Sequence, residues 1–150
     1  MVHVSAELAR VVDAAEIALR LVSEEESGGP VLAGGWSRKQ VLGHLIESAS
    51  NNHQRFVRGA LADALEFPAY DTPGSVRVEA VDSAGWTMLV DLWASYNRYL
   101  VHVIGHLPAA KLDVVCRIGA NAPVSLGYLV EDYVRHLVHH LDQIGVVTGR

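Results

Sequence analysis

A single cysteine, Cys116, occurs among the 150 residues, so no internal disulfide can form and no site can be built from several thiolates. Positive charge is also scarce: 12 Lys and Arg stand against 17 Asp and Glu, a formal net charge of −5. That balance lacks the electrostatic footprint of a nucleic-acid binder, and nucleic acid is not an expected partner. Long apolar runs are missing, none approaching the roughly 20 residues that a bilayer-crossing helix needs, so no membrane partner is expected either. Met1 to Glu7 carries neither the basic nor the apolar stretch of a secretory signal, and the expected compartment is the cytoplasm.

Half of the residues are hydrophobic and 19% are charged, which excludes a disordered chain. The length fits one domain, residues 1–150, with a continuous core. From Ser5 to about Glu25, Leu8, Val11, Val12, Ala15, Leu19 and Val22 recur at spacings of three and four, the period of an amphipathic helix. Gly28, Gly29, Pro30, Gly34 and Gly35 interrupt it. Ser37 then reads as an N-cap with Gln40 at its capping-box position and Trp36 as a staple against Val41, starting a second helix that runs to about Leu65. Phe67 to Gly74 reads as a loop, because Pro68, Pro73 and Gly74 do not continue a helix. Ser83 is the expected cap of a third helix carrying Trp86, Leu89, Val90, Trp93, Asn97, Leu100 and Ile104. Lys111 to Val124 reads as irregular with at most a short strand. Ser125 caps a fourth helix continuing to about Val147 and ending at Gly149. Four such helices imply an all-α four-helix bundle, in which the long connection after the second helix leaves topologies other than up-down-up-down open.

Eight histidines are many for this length. At about 100° per residue, the fourth helix places His140 about 40° and His136 about 80° from its apolar stripe, whereas His139 lies about 140° away. His136 and His140, four residues apart, therefore stack on one inward face and can share a divalent ion. Gln143 lies beside them, where it can orient a ring or touch a substrate. His102 and His106 have the same spacing but point roughly 130° away from the third helix's stripe, toward solvent. In the second helix His44 lies off the apolar face, on a polar seam with Ser48, Asn51 and Arg55. Periodicity reads that seam as either a solvated face or the lining of a cleft. His53 falls on the opposite side, near the apolar edge, as a partly buried structural residue.

The blocks Trp36-Ser37-Arg38-Lys39-Gln40-Val41-Leu42-Gly43-His44-Leu45-Ile46-Glu47, Asn51 to Arg58, Trp93 to Arg98, and Tyr133 to Ile144 together resemble the DinB/YfiT-like superfamily of metal-dependent enzymes. The resemblance spans nearly all of the chain from Trp36 onward. It implies a four-helix bundle with a long crossover between helices two and three. It also implies a divalent ion held by one histidine of the second helix and two of the fourth, here His44, His136 and His140. On that implication the seam at His44 becomes the wall of a cleft.

Three neutral imidazoles leave the ion's double charge and an open position, the arrangement of catalytic sites rather than closed structural ones. Zinc or nickel are the expected metals; iron also accepts imidazole. Two chemistries on a small-molecule substrate follow, hydrolysis by activated water or transfer and isomerisation with a low-molecular-weight thiol such as mycothiol or bacillithiol. No general base stands out: Glu47 is one turn from His44 but points away from the seam. Asn51, Arg55, Asn97 and Gln143 are the residues expected to orient a substrate or support the ligands, and Arg55 can clamp a carboxylate. The alternative from another class is a non-catalytic metal-binding helical protein acting through dimerisation or partner binding. A mean hydropathy of +0.19 agrees with an expected homodimer interface.

Overall fold

The apolar spacings do build four long helices, and the computed structural model describes residues 1–31 and 35–146. The first, α1, spans Val2–Arg20 and buries Val4, Leu8, Val11, Val12, Ala15 and Leu19. It stops short of Glu25 because Ser23 and Glu26 form a capping box of their own and restart the chain as a short helix, α2, at Glu24–Gly28. Helix α3, Arg38–Leu61, begins as expected: Gln40 N–H donates to Ser37 Oγ at 3.1 Å and Ser37 N–H to Gln40 Oε1 at 2.9 Å.

The connection after α3 is richer than its sequence implied. Helix α3 ends at Leu61 rather than Leu65, because Ala64–Phe67 leaves the helical period and pairs as strand β1. Thr72–Val78 forms α4, in which Pro73 occupies the first turn, where its missing N–H costs nothing, and Asp71 accepts from Gly74 N–H at 3.1 Å. A 3₁₀ turn, Val81–Ser83, follows. Helix α5, Trp86–Gly105, is then capped by Gly85 rather than Ser83. The capping side chain comes from elsewhere in the chain: Glu24 of α2 accepts from Trp86 N–H at 2.8 Å and pairs with the buried Lys39, whose Nζ also donates to Ala84 O at 2.7 Å. Sequence proximity favoured Ser83; packing of α2 against α3 and α5 delivers a stronger, charged acceptor.

Between α5 and the last helix lie a second 3₁₀ turn, Ala109–Lys111, and strands β2, Val115–Ile118, and β3, Val124–Ser125. The expected single short strand is thus part of a three-stranded sheet in the order β1-β2-β3. Strand β1 runs parallel to β2 from Ala64↔Val115 to Phe67↔Ile118, and β3 pairs antiparallel through Cys116↔Val124. Four-residue strands carry too few alternations to be read before their partners are known.

Helix α6, Leu126–Gln143, starts on Ser125 as expected, with Tyr128 N–H donating to its Oγ at 3.1 Å. It ends earlier than Val147, at a Schellman closure around Gly145 (φ +77°), where Val146 N–H reaches Leu141 O at 3.0 Å and Gly145 N–H reaches Asp142 O at 3.1 Å. The expected stop at Gly149 lies outside the described residues.

Around the bundle, α1 and α3 each pack against α5 and α6, so among the consecutive long helices α3 and α5 are neighbours, whereas α1 with α3 and α5 with α6 are not main packing pairs. The crossover from α3 to α5 makes this possible. It packs tightly on α3 at Gly43, where a Cβ would meet Val81 Cγ1 at 2.6 Å. The core between the four helices includes Leu8, Leu42, Phe56, Trp93, Leu137 and Leu141, all without measurable exposure. No described helix is long and apolar enough to cross a membrane.

Candidate metal centre

Because α3 packs on α6, His44 meets the histidine pair of the last helix. His44 is 4% exposed and presents Nε2 to His136 Nε2 at 3.2 Å; His136 Nε2 is in turn 3.1 Å from His140 Nε2. All three donor atoms lie within 4.8 Å of one another, the one such group of three or more His, Cys, Asp or Glu among the described residues. The rings meet edge to face rather than stacked, so their nitrogens rather than their faces converge.

The donor set fits a cation. His140 donates its Nδ1–H to Gln143 Oε1 at 2.7 Å, which leaves its Nε2 as a bare lone pair when the ring is neutral. A proton on His136 Nε2 can satisfy one neighbouring lone pair, not both. A divalent ion serves all three, and tetrahedral ligands at about 2.0–2.1 Å stand roughly 3.3 Å apart, close to the two short separations here. Desolvation by burial, with smaller repulsion from the neighbouring rings, pushes His44 down to about 4. Burial does the same to His136, also to about 4, against an opposing pull from Asp132. His140 is lowered as well, burial outweighing the bond to Gln143. All three are therefore neutral and lone-pair-bearing at pH 7. Nδ1 of His44 and Nδ1 of His136 are buried without a hydrogen-bond partner among the described residues, so a neighbouring side chain orients His140 alone.

Two hollows flank the trio. Beside His140, a pocket of about 210 Å³ is lined by Val31, Trp36, Val41 and Ile144. Trp36 thus shares a wall with Val41, and its ring also packs edge-on against His44, centroids 5.8 Å apart. Beside His136, a cavity of about 110 Å³ is lined by Ser48, Asn52, Arg55, Tyr70 and Asp132. The seam of α3 is a buried wall: Ser48 is 2% and Arg55 8% exposed.

The other expected residues separate. Asn51 donates to Glu47 O at 3.1 Å and does not line the cavity; Asn52, one residue on, does. Asn97 is fully buried in the core, accepting from Tyr133 O–H at 2.5 Å and donating to Trp93 O at 2.9 Å. His53 is half-buried against Tyr96, and His102, His106 and His139 are exposed, as their helical faces required. Tyr70, which packs over the guanidinium of Arg55, carries no periodic signal that could have singled it out. Cys116 is buried, and burial raises its thiol pKa, the opposite of the exposed, low-pKa setting of a reactive thiolate.

The sequence model of the DinB superfamily matches residues 7–144. In structure the chain is similar to YfiT from Bacillus subtilis, described as a probable metal-dependent hydrolase with an unusual four-helix bundle topology. The TM-score is 0.84 at 20% identity, over 95% of this chain and 82% of that one. At this identity the likeness speaks for the fold. No curated protein matches the chain in sequence.

Proposed function

The chain belongs to the DinB superfamily, and on that premise we propose that it is a metal-dependent hydrolase whose divalent ion is held by Nε2 of His44, His136 and His140. The observation that carries this reading is the meeting of three neutral imidazole edges from two helices, with His136 Nε2 3.2 Å from His44 Nε2 and 3.1 Å from His140 Nε2. A bound divalent ion with three neutral ligands supplies Lewis acidity at an open position, enough to activate water near pH 7. Zinc or nickel suits the all-imidazole donor set.

The chain's own residues do the rest. Gln143 holds the His140 ring in the ligating tautomer. Trp36 and Val41 wall the hollow beside His140, excluding water from one side of the site and offering an apolar surface to a small substrate. On the other side Ser48, Asn52 and Tyr70 offer hydroxyl and amide contacts. The competing outcome is transfer to a low-molecular-weight thiol, which a divalent ion at the same open position would activate in place of water.

Untagged wild-type protein should contain about one divalent ion per chain by elemental analysis, and His44→Ala, His136→Ala and His140→Ala should each lose it while keeping wild-type helicity. Metal-loaded protein is then offered a panel of esters, amides and alkyl electrophiles with and without small thiols. Turnover without thiol supports hydrolysis, and turnover only with thiol replaces it by transfer. Wild-type protein without stoichiometric metal overturns both.

A further inference from the structure

Arg55 is buried to 92% of its surface, 8% remaining exposed, yet among the described residues it forms no ion pair. Its guanidinium carbon lies over the rings of Phe67 and Tyr70, 5.4 and 5.7 Å from their centroids, both brought over α3 by the crossover. Among the described residues its one hydrogen bond is a long one, Nη1 to Asn52 Oδ1 at 3.4 Å, and Nε is buried with no partner. Burying a permanent cation without a counter-charge is costly, and aromatic faces offset only part of that cost. Asp132 lines the same cavity but its carboxylate is half exposed and turned to Arg135 at 3.1 Å. The cavity at Arg55 continues along the wall to His136.

We propose that this cavity is a carboxylate-binding subsite, in which Arg55 takes the carboxylate of a small substrate and so places the substrate's remaining atoms beside the histidine trio. The inference rests on the metal-enzyme reading for what the substrate does next, but not for its binding. A planar guanidinium edge with a free Nε matches a carboxylate in a two-pronged geometry that a lysine could not reproduce. One unpaired cation balances one negative charge, and Asp132 at the rim opposes a second, so a monoanion is favoured over a phosphate dianion. The volume, about 110 Å³, accepts a compact headgroup.

Metal-free protein in chelator is titrated with sodium propionate, with sodium chloride at equal ionic strength as control, following the Arg55 Nε–H and Asn52 side-chain amide resonances by NMR. A saturable shift with propionate and none with chloride is expected. In Arg55→Lys the affinity read at Asn52 should fall at least tenfold, and in Arg55→Met the saturable response should vanish. Absence of saturable binding to wild-type protein, an unchanged affinity in Arg55→Lys, or an equal response to inorganic phosphate overturns the proposal. Should Arg55→Met not fold, the wild-type and Arg55→Lys titrations still decide. Metal content of Arg55→Lys, measured separately, should match wild type. Propionate binding without metal uptake defeats the metal reading alone, and metal uptake without propionate binding defeats this one alone.

Discussion

His140 Nδ1 donates to Gln143 Oε1 across 2.7 Å, one turn along α6, and this bond aims His140 Nε2 at His44 and His136. Gln143 Nε2 is itself anchored to His139 Nε2 at 3.0 Å. Among the described residues neither His44 nor His136 has such a partner at Nδ1. Gln143→Ala should therefore lower metal affinity by about 10–100-fold while leaving the ligand set intact. Competition against a chromophoric chelator measures it; an unchanged affinity would show that helix packing alone orients the ring.

The stability of the metal-free protein should depend on pH through the buried trio. His44 and His136 titrate near 4 when folded, against about 6.5 when unfolded. Between those values the unfolded chain binds protons that the folded chain refuses, so stability is complete above about pH 6.5 and is lost as pH falls toward 4. Urea unfolding in chelator at pH 7, 6 and 5 should show the decline. In a His44→Ala/His136→Ala variant the slope over that interval should flatten, and a slope equal to wild type would assign it to other groups.

Gly43→Ala should destabilise the protein even though alanine favours a helix. The new Cβ would stand 2.6 Å from Cγ1 and 2.7 Å from Cγ2 of the buried, stiff Val81. We expect a net loss of about 1–2 kcal/mol by chemical denaturation, overpacking exceeding the propensity gain. In a Val81→Ala background the same change should cost less, since the clash is gone.

Tyr133→Phe should cost about 1–3 kcal/mol, because it leaves Oδ1 of the fully buried Asn97 without its donor. Metal content should not change, since this bond joins α5 to α6 in the core. Loss of metal together with stability would give the pair a direct part in holding the site.

His102→Ala/His106→Ala should leave metal stoichiometry as in wild type. These rings share the i,i+4 spacing of His136 and His140, but both are exposed, His106 Nδ1–H donates to His102 O at 2.7 Å, and no third donor joins them among the described residues. A fall in tightly bound metal would place a second site on α5.

The sequence alone determined the four amphipathic helices, the caps at Ser37 and Ser125, and which histidines face inward, because helical period and capping chemistry are local and repeat within a few residues. It also carried the likeness that brought His44 together with His136 and His140. Tertiary structure decided what depends on distant partners: the pairing of Ala64–Phe67 with Val115–Ile118, the capping of α5 by Glu24, and the choice of Asn52 over Asn51 as the buried edge of the seam. The phase of a helix narrows its buried face to an arc, and the neighbouring helix selects the side of that arc that closes. The burial of Arg55 beside Phe67 and Tyr70 without an ion pair among the described residues is of the same kind, since a cation's lack of a counter-charge can be seen only when its neighbours are in place.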